Sequence, residues 1–106
     1  GEDSLYFPLM CIGASGVISA SVNVCPAEAA ALYDAYVAGD MKTARELHFK
    51  LLPLFNALFL ETNPIPVKKA LELMGLIGPE IRLPLIPMTE AGTAKLTAVM
   101  KQVGII

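Results

Sequence analysis

Apolar positions along this chain fall at helical spacing almost throughout, and one short run breaks the rule. Leu5, Leu9 and Ile12 recur at i, i+4 and i+7, which predicts a helix over residues 5–12. Asp3 and Ser4 are its cap candidates, and Pro8 is tolerable only in the first turn. Gly13 and Gly16 punctuate a turn. Residues 17–22, Val-Ile-Ser-Ala-Ser-Val, are uncharged and rich in β-branched side chains, which predicts a strand. An uncharged strand between helices implies burial on both faces, as in parallel sheets. A single strand cannot satisfy its own ladder, so this one implies neighbours the chain does not supply.

From Pro26 onward the pattern is helical. Pro26 suits a first helical position, and Leu32, Tyr33, Tyr36 and Val37 form one stripe before Gly39. Asp40 caps a following helix, from about Met41 to Leu60, along the line Leu47, Leu51, Leu54, Leu58. Pro53 lies inside it and predicts a kink or break. Asn63-Pro64-Ile65-Pro66 reads as a rigid connector. A helix with Val67, Ala70, Leu71 and Met74 follows, ended by Gly75. Pro79, Pro84 and Pro87 keep residues 78–88 extended. Thr89 caps a last helix, with Leu96, Val99, Met100 and Val103 on one face and Gly104 as its stop. The predicted order is helix, strand, four helices, which is how a wound α/β domain finishes.

Composition adds a hint of incompleteness. Hydrophobic residues are 55% of the 106 and eight glycines add to them, against roughly 45–50% for apolar residues with glycine in a typical domain. A small domain buries a smaller share of its surface and should need fewer. The excess suggests faces meant for a partner. The opening Gly1-Glu2-Asp3 without Met suits a fragment, a processed product or a trimmed chain. With a net charge of −2 and only Lys68-Lys69 adjacent, no basic patch exists to meet nucleic acid. No apolar run reaches membrane-span length. Cys11 and Cys25 make no metal or redox motif and are read as small buried apolar residues in a reducing, cytoplasmic setting.

Three stretches resemble the dihydrodipicolinate synthase family. Gly1-Glu2-Asp3 is similar to the Ser-Gly-Asp-Asp turn after its seventh barrel strand. Gly16-Val17-Ile18-Ser19, with Asn23 beyond, resembles its eighth strand. Glu61-Thr62-Asn63-Pro64-Ile65-Pro66-Val67-Lys68, then Arg82-Leu83-Pro84-Leu85 and Met88-Thr89-Glu90, is the most specific match. This last block favours the synthase over N-acetylneuraminate lyase and other pyruvate-lysine aldolases.

The resemblance implies a C-terminal fragment of a TIM (β/α)8 barrel with a C-terminal helical extension, predominantly α in this chain. A whole barrel takes roughly 250 residues. Residues 1–25 would end the barrel, residues 26–60 would hold its last helix and begin the extension, and residues 61–106 would complete it. The family condenses pyruvate with aspartate semialdehyde towards diaminopimelate and lysine, through a lysine Schiff base, without metal or organic cofactor, commonly as a homotetramer. Its catalytic lysine and Tyr-Thr-Tyr relay match positions upstream of Gly1, so the chain alone is expected to be inactive. Carried over residue by residue, Ile18 matches an isoleucine that packs against pyruvate, and Gly1 matches a glycine lining the same pocket.

The other candidate groups have plainer readings. A Schiff-base lysine needs its free amine near neutral pH, from burial or a nearby cation. Lys68 and Lys69 are the one adjacent pair, but neighbours on a helix point about 100° apart, so at least one faces water. His48 has no partners spaced for a metal site and is expected to be a surface or half-buried structural residue. Glu2-Asp3 is read as a cap and turn, and Tyr33 and Tyr36 as packing residues with wet hydroxyls. Ser19, Ser21 and Asn23 are candidates for a pocket mouth. The reading opposed to a synthase fragment is a non-catalytic helical module that self-associates through its apolar faces.

Overall fold

Helices close their backbone hydrogen bonds locally, so the helical stretches predicted above need no outside partner to form. The computed structural model describes residues 1–106 and contains five α-helices: α1 (Tyr6–Cys11), α2 (Pro26–Val37), α3 (Met41–Ala57), α4 (Ile65–Leu73) and α5 (Glu90–Val103). Short 3-10 turns cover Asp3–Leu5 and Ser21–Asn23, and there is no β-strand. The chain is thus predominantly helical.

Helices α3 and α5 are capped by the side chains expected to do so, whereas α1 starts after Leu5 with no side-chain cap, so neither Asp3 nor Ser4 caps it. Asp40 accepts from the Thr43 amide at 3.1 Å, and hydrogen bonding from Thr43 lowers the Asp40 pKa. Thr89 Oγ1 accepts from the Gly92 amide at 3.0 Å. Gly104 ends α5 in the left-handed region, φ 84°, where an L side chain is strained. Glu61 reaches across from the end of α3 and accepts from both the amide (3.2 Å) and hydroxyl (2.5 Å) of Thr89, which pins the start of α5.

Two apolar clusters form. The larger joins α3, α4 and α5 through Leu51, Leu54, Phe55, Val67, Ala70, Leu96 and Met100, and includes the buried Val24 and Cys25. The smaller packs α1 on α2 through Tyr6, Met10, Ala29 and Leu32. The molecule is elongated, 42 × 26 × 21 Å, with a radius of gyration of 14.2 Å where a compact chain of this length has about 13 Å. Its accessible surface of 6136 Å² exceeds the roughly 5,700 Å² expected of a folded monomer of this mass. Ile12, Ile18 and Leu83 are each more than 80% exposed, at 82%, 91% and 86%. The apolar excess in the composition lies on the outside.

Several expectations are corrected. Residues 17–22 are not a strand: 14–19 have no regular structure and 21–23 form a 3-10 turn. No backbone amide from Ser15 to Val22 donates to a backbone carbonyl, because no second extended segment lies alongside. Pro53 does not break α3, which runs unbroken through it and stops at Ala57 rather than Leu60. A proline costs the helix one backbone bond, and the buried Leu51, Leu54 and Phe55 on either side hold the turn in place. Helix α4 begins at Ile65, ahead of the expected Val67, with Pro66 in the first turn where no amide is required. Cys11 is exposed, since α1 turns it away from α2; Cys25 is buried.

Candidate functional site

Gly1 and Ile18, seventeen positions apart, are brought together. A Cβ built on Gly1 would collide with the Ile18 carbonyl oxygen, so only glycine permits this approach. Both residues are exposed, and the Ile18 side chain faces open space. They form the edge of a surface and not a closed pocket within this chain.

Asp3 fixes that edge from behind. Its carboxylate is buried, and Oδ2 accepts from the Ser21 amide at 3.0 Å and the Ser21 hydroxyl at 2.5 Å. The other oxygen, Oδ1, is buried without a partner. The Glu2-Asp3 pair was expected to be cap and turn together. Glu2 alone does that, accepting from the Ser4 hydroxyl at 2.9 Å, while Asp3 makes a link across eighteen residues. Nothing in the linear pattern marks Ser21 as its partner. Of the other pocket-mouth candidates, Ser19 accepts from the Val22 amide and Asn23 donates to the Ala20 carbonyl. Both are local turn bonds.

Behind this layer the Cys25 thiol donates to the Ser21 carbonyl at 3.4 Å. Burial, with the Glu28 and Asp3 carboxylates adding to it, pushes its pKa up to about 12, so it stays a neutral thiol. Beside it, a cleft of about 400 Å³ opens between α2 and residues 16–22, lined by Tyr6, Val17, Val22, Ala30, Tyr33 and Asp34. The Tyr6 hydroxyl donates to the Ala29 carbonyl at 3.4 Å, and burial, then the Tyr33 and Asp34 charges, raise its pKa. The half-buried Tyr36 donates its hydroxyl to the Met10 carbonyl at 2.7 Å and so ties α2 to α1.

The remaining candidates are structural. Lys68 donates to the Glu80 carbonyl at 2.6 Å and holds residues 78–88 against α4. Lys69 pairs with Glu72 at 2.6 Å. His48 is 6% exposed, a correction to the surface or half-buried placement. It lies between Phe7 and Phe49, with ring centroids 5.6 and 5.2 Å away, because it falls on the face of α3 that meets α1. Burial lowers its pKa, and Nδ1 has no hydrogen-bond partner.

Comparison with known proteins places this arrangement. The model of the dihydrodipicolinate synthetase family matches residues 1–103. The chain belongs to that family. It is 53% identical over all 106 residues to the 4-hydroxy-tetrahydrodipicolinate synthase of Geotalea uraniireducens, covering 37% of that protein. Among solved structures, a monomeric dihydrodipicolinate synthase variant superposes with a TM-score of 0.97 at 48% identity, over 100% of this chain and 35% of the other. The chloride-inhibited enzyme of Acinetobacter baumannii complexed with pyruvate gives 0.95 at 42%, over 100% and 36%. The chain thus spans a little over a third of the length of the relatives it matches.

Proposed function

We propose that this chain is the C-terminal part of a 4-hydroxy-tetrahydrodipicolinate synthase and lends one wall to its pyruvate pocket. The observation that carries the reading is the close approach of Gly1 to Ile18, the two residues matched to that pocket, on an edge open to solvent. In the whole enzyme, pyruvate would be held as a lysine Schiff base and condensed with aspartate semialdehyde. Residues 16–19 would belong to the last barrel strand, with residues 1–25 ending the barrel, 26–60 carrying its last helix and the start of the extension, and 61–106 completing it. Exposed Ile12 and Ile18 fit a surface that other barrel elements cover. We place the enzyme in the cytoplasm as a homo-oligomer; no helix is long and apolar enough to cross a membrane.

The chain alone is inactive in this reading. None of its six lysines is buried, and Lys68 and Lys69 are engaged with Glu80 and Glu72, so none has the desolvated setting a Schiff-base amine needs. The test joins this chain to the first two-thirds of the Geotalea uraniireducens synthase and follows condensation of pyruvate with aspartate semialdehyde. The joined protein should turn over and the isolated chain should not. A folded but inactive chimera contradicts the assignment. The exposure of Ile12, Ile18 and Leu83 favours a second reading, a helical module that associates with itself. Stable oligomers of the isolated chain together with an inactive chimera would support it.

A further inference from the structure

We propose that Asp3 is a positioning residue for pyruvate binding, holding the Gly1 turn in register with Ile18 through Ser21. This inference rests on the synthase reading above. The two bonds from Ser21 to Asp3 Oδ2 are the only hydrogen bonds joining residues 1–5 to residues 14–22. Gly1 lies two residues before one end of this link and Ile18 three residues before the other. Within this chain, then, the Gly1 turn and the Ile18 segment share one polar link, and it is buried.

Two features separate this role from ordinary stabilisation. Helix capping does not require Asp3, since Glu2 supplies the cap. A carboxylate that is 1% exposed, with one oxygen unpartnered, is a costly way to join two loops. An apolar contact would join them at lower cost but would slide. A hydrogen bond to a main-chain amide and its own side-chain hydroxyl fixes both distance and direction. Because the Asp3 carboxylate is buried behind the wall, it acts on the ligand through the placement of Gly1 and Ile18. A wall that shifts loses its contact distance to the ligand, so the loss falls first on pyruvate binding.

The experiment uses the active chimera with the Geotalea uraniireducens N-terminal portion. Asp3→Ala removes both bonds, and Ser21→Ala removes the hydroxyl bond while keeping the amide one. The expected result is a KM for pyruvate raised about tenfold by Asp3→Ala and about threefold by Ser21→Ala, with kcat changed less than KM in each. A variant harmed only in folding would lose melting temperature and active fraction with its KM unchanged, and that result overturns the inference. Should Asp3→Ala fail to fold, the Ser21→Ala variant decides by the same split. An inactive unsubstituted chimera sinks the synthase reading itself, whereas an active one with an unmoved KM sinks only the role of Asp3.

Discussion

Residues 41–106 and residues 1–25 solve the same problem in opposite ways. In the first region α3, α4 and α5 bury Leu51, Leu54, Leu58, Leu96 and Met100 completely. Apart from the bond lost at Pro53, the helices satisfy their own ladders, and the connectors are pinned by Glu61–Thr89 and Lys68–Glu80. In the second, a six-residue helix and an extended segment leave Ile12 and Ile18 in solvent. The amides from Ser15 to Val22 find no backbone acceptor. A helical region carries its stability within itself, whereas an extended segment borrows it from neighbours. The first folds from what the chain holds, and the second leaves its backbone donors and its apolar side chains open.

The largest expected effect is in the self-contained region. Leu54→Ala empties a fully buried site between α3 and its neighbours and should cost about 2–5 kcal/mol, read as a lowered urea midpoint. A loss below about 0.5 kcal/mol would show that this core is loose and break the contrast. Thr89→Ala removes the α5 cap and one partner of Glu61, for about 1 kcal/mol by the same readout.

His48 sharpens the contrast at the junction of α1 and α3. Burial lowers its pKa in the fold, so the unfolded chain binds the extra proton first. Its stabilising neutral state is fully present above the unfolded value of about 6.5. It is lost as pH falls from there towards the lower folded value. Melting temperature should therefore drop over that window and His48→Leu should flatten the drop; an equal drop in the variant would place the cause elsewhere. Smallest of all is Ile18→Ala, which should leave the isolated chain's stability within about 0.5 kcal/mol, since the side chain touches little. A larger loss would mean that Ile18 is already packed and that the wall is closed without partners.

The same division governs what could be read from the chain. Helices α2, α3 and α5, with caps at Asp40 and Thr89, were legible because period and cap lie within a few residues. Residues 17–22 have the composition of a strand, but composition states what a segment suits and not whether a partner is present. The burial of His48 escaped because the flanking Leu47 and Phe49 point to either side, and only the arrival of Phe7 from α1 decides which face is covered. The Gly1 and Ile18 candidates came from family resemblance, and the fold adds their meeting. The Asp3–Ser21 link lay beyond any local rule, since its two ends share no periodicity.

Amide hydrogen exchange of residues 15–20, followed in the isolated chain and in the chimera, shows whether this segment borrows its backbone partners. Exchange near the solvent rate is expected in the first and strong protection in the second, where barrel neighbours would supply the acceptors. Protection already present in the isolated chain, or absent from an active chimera, would contradict that borrowing.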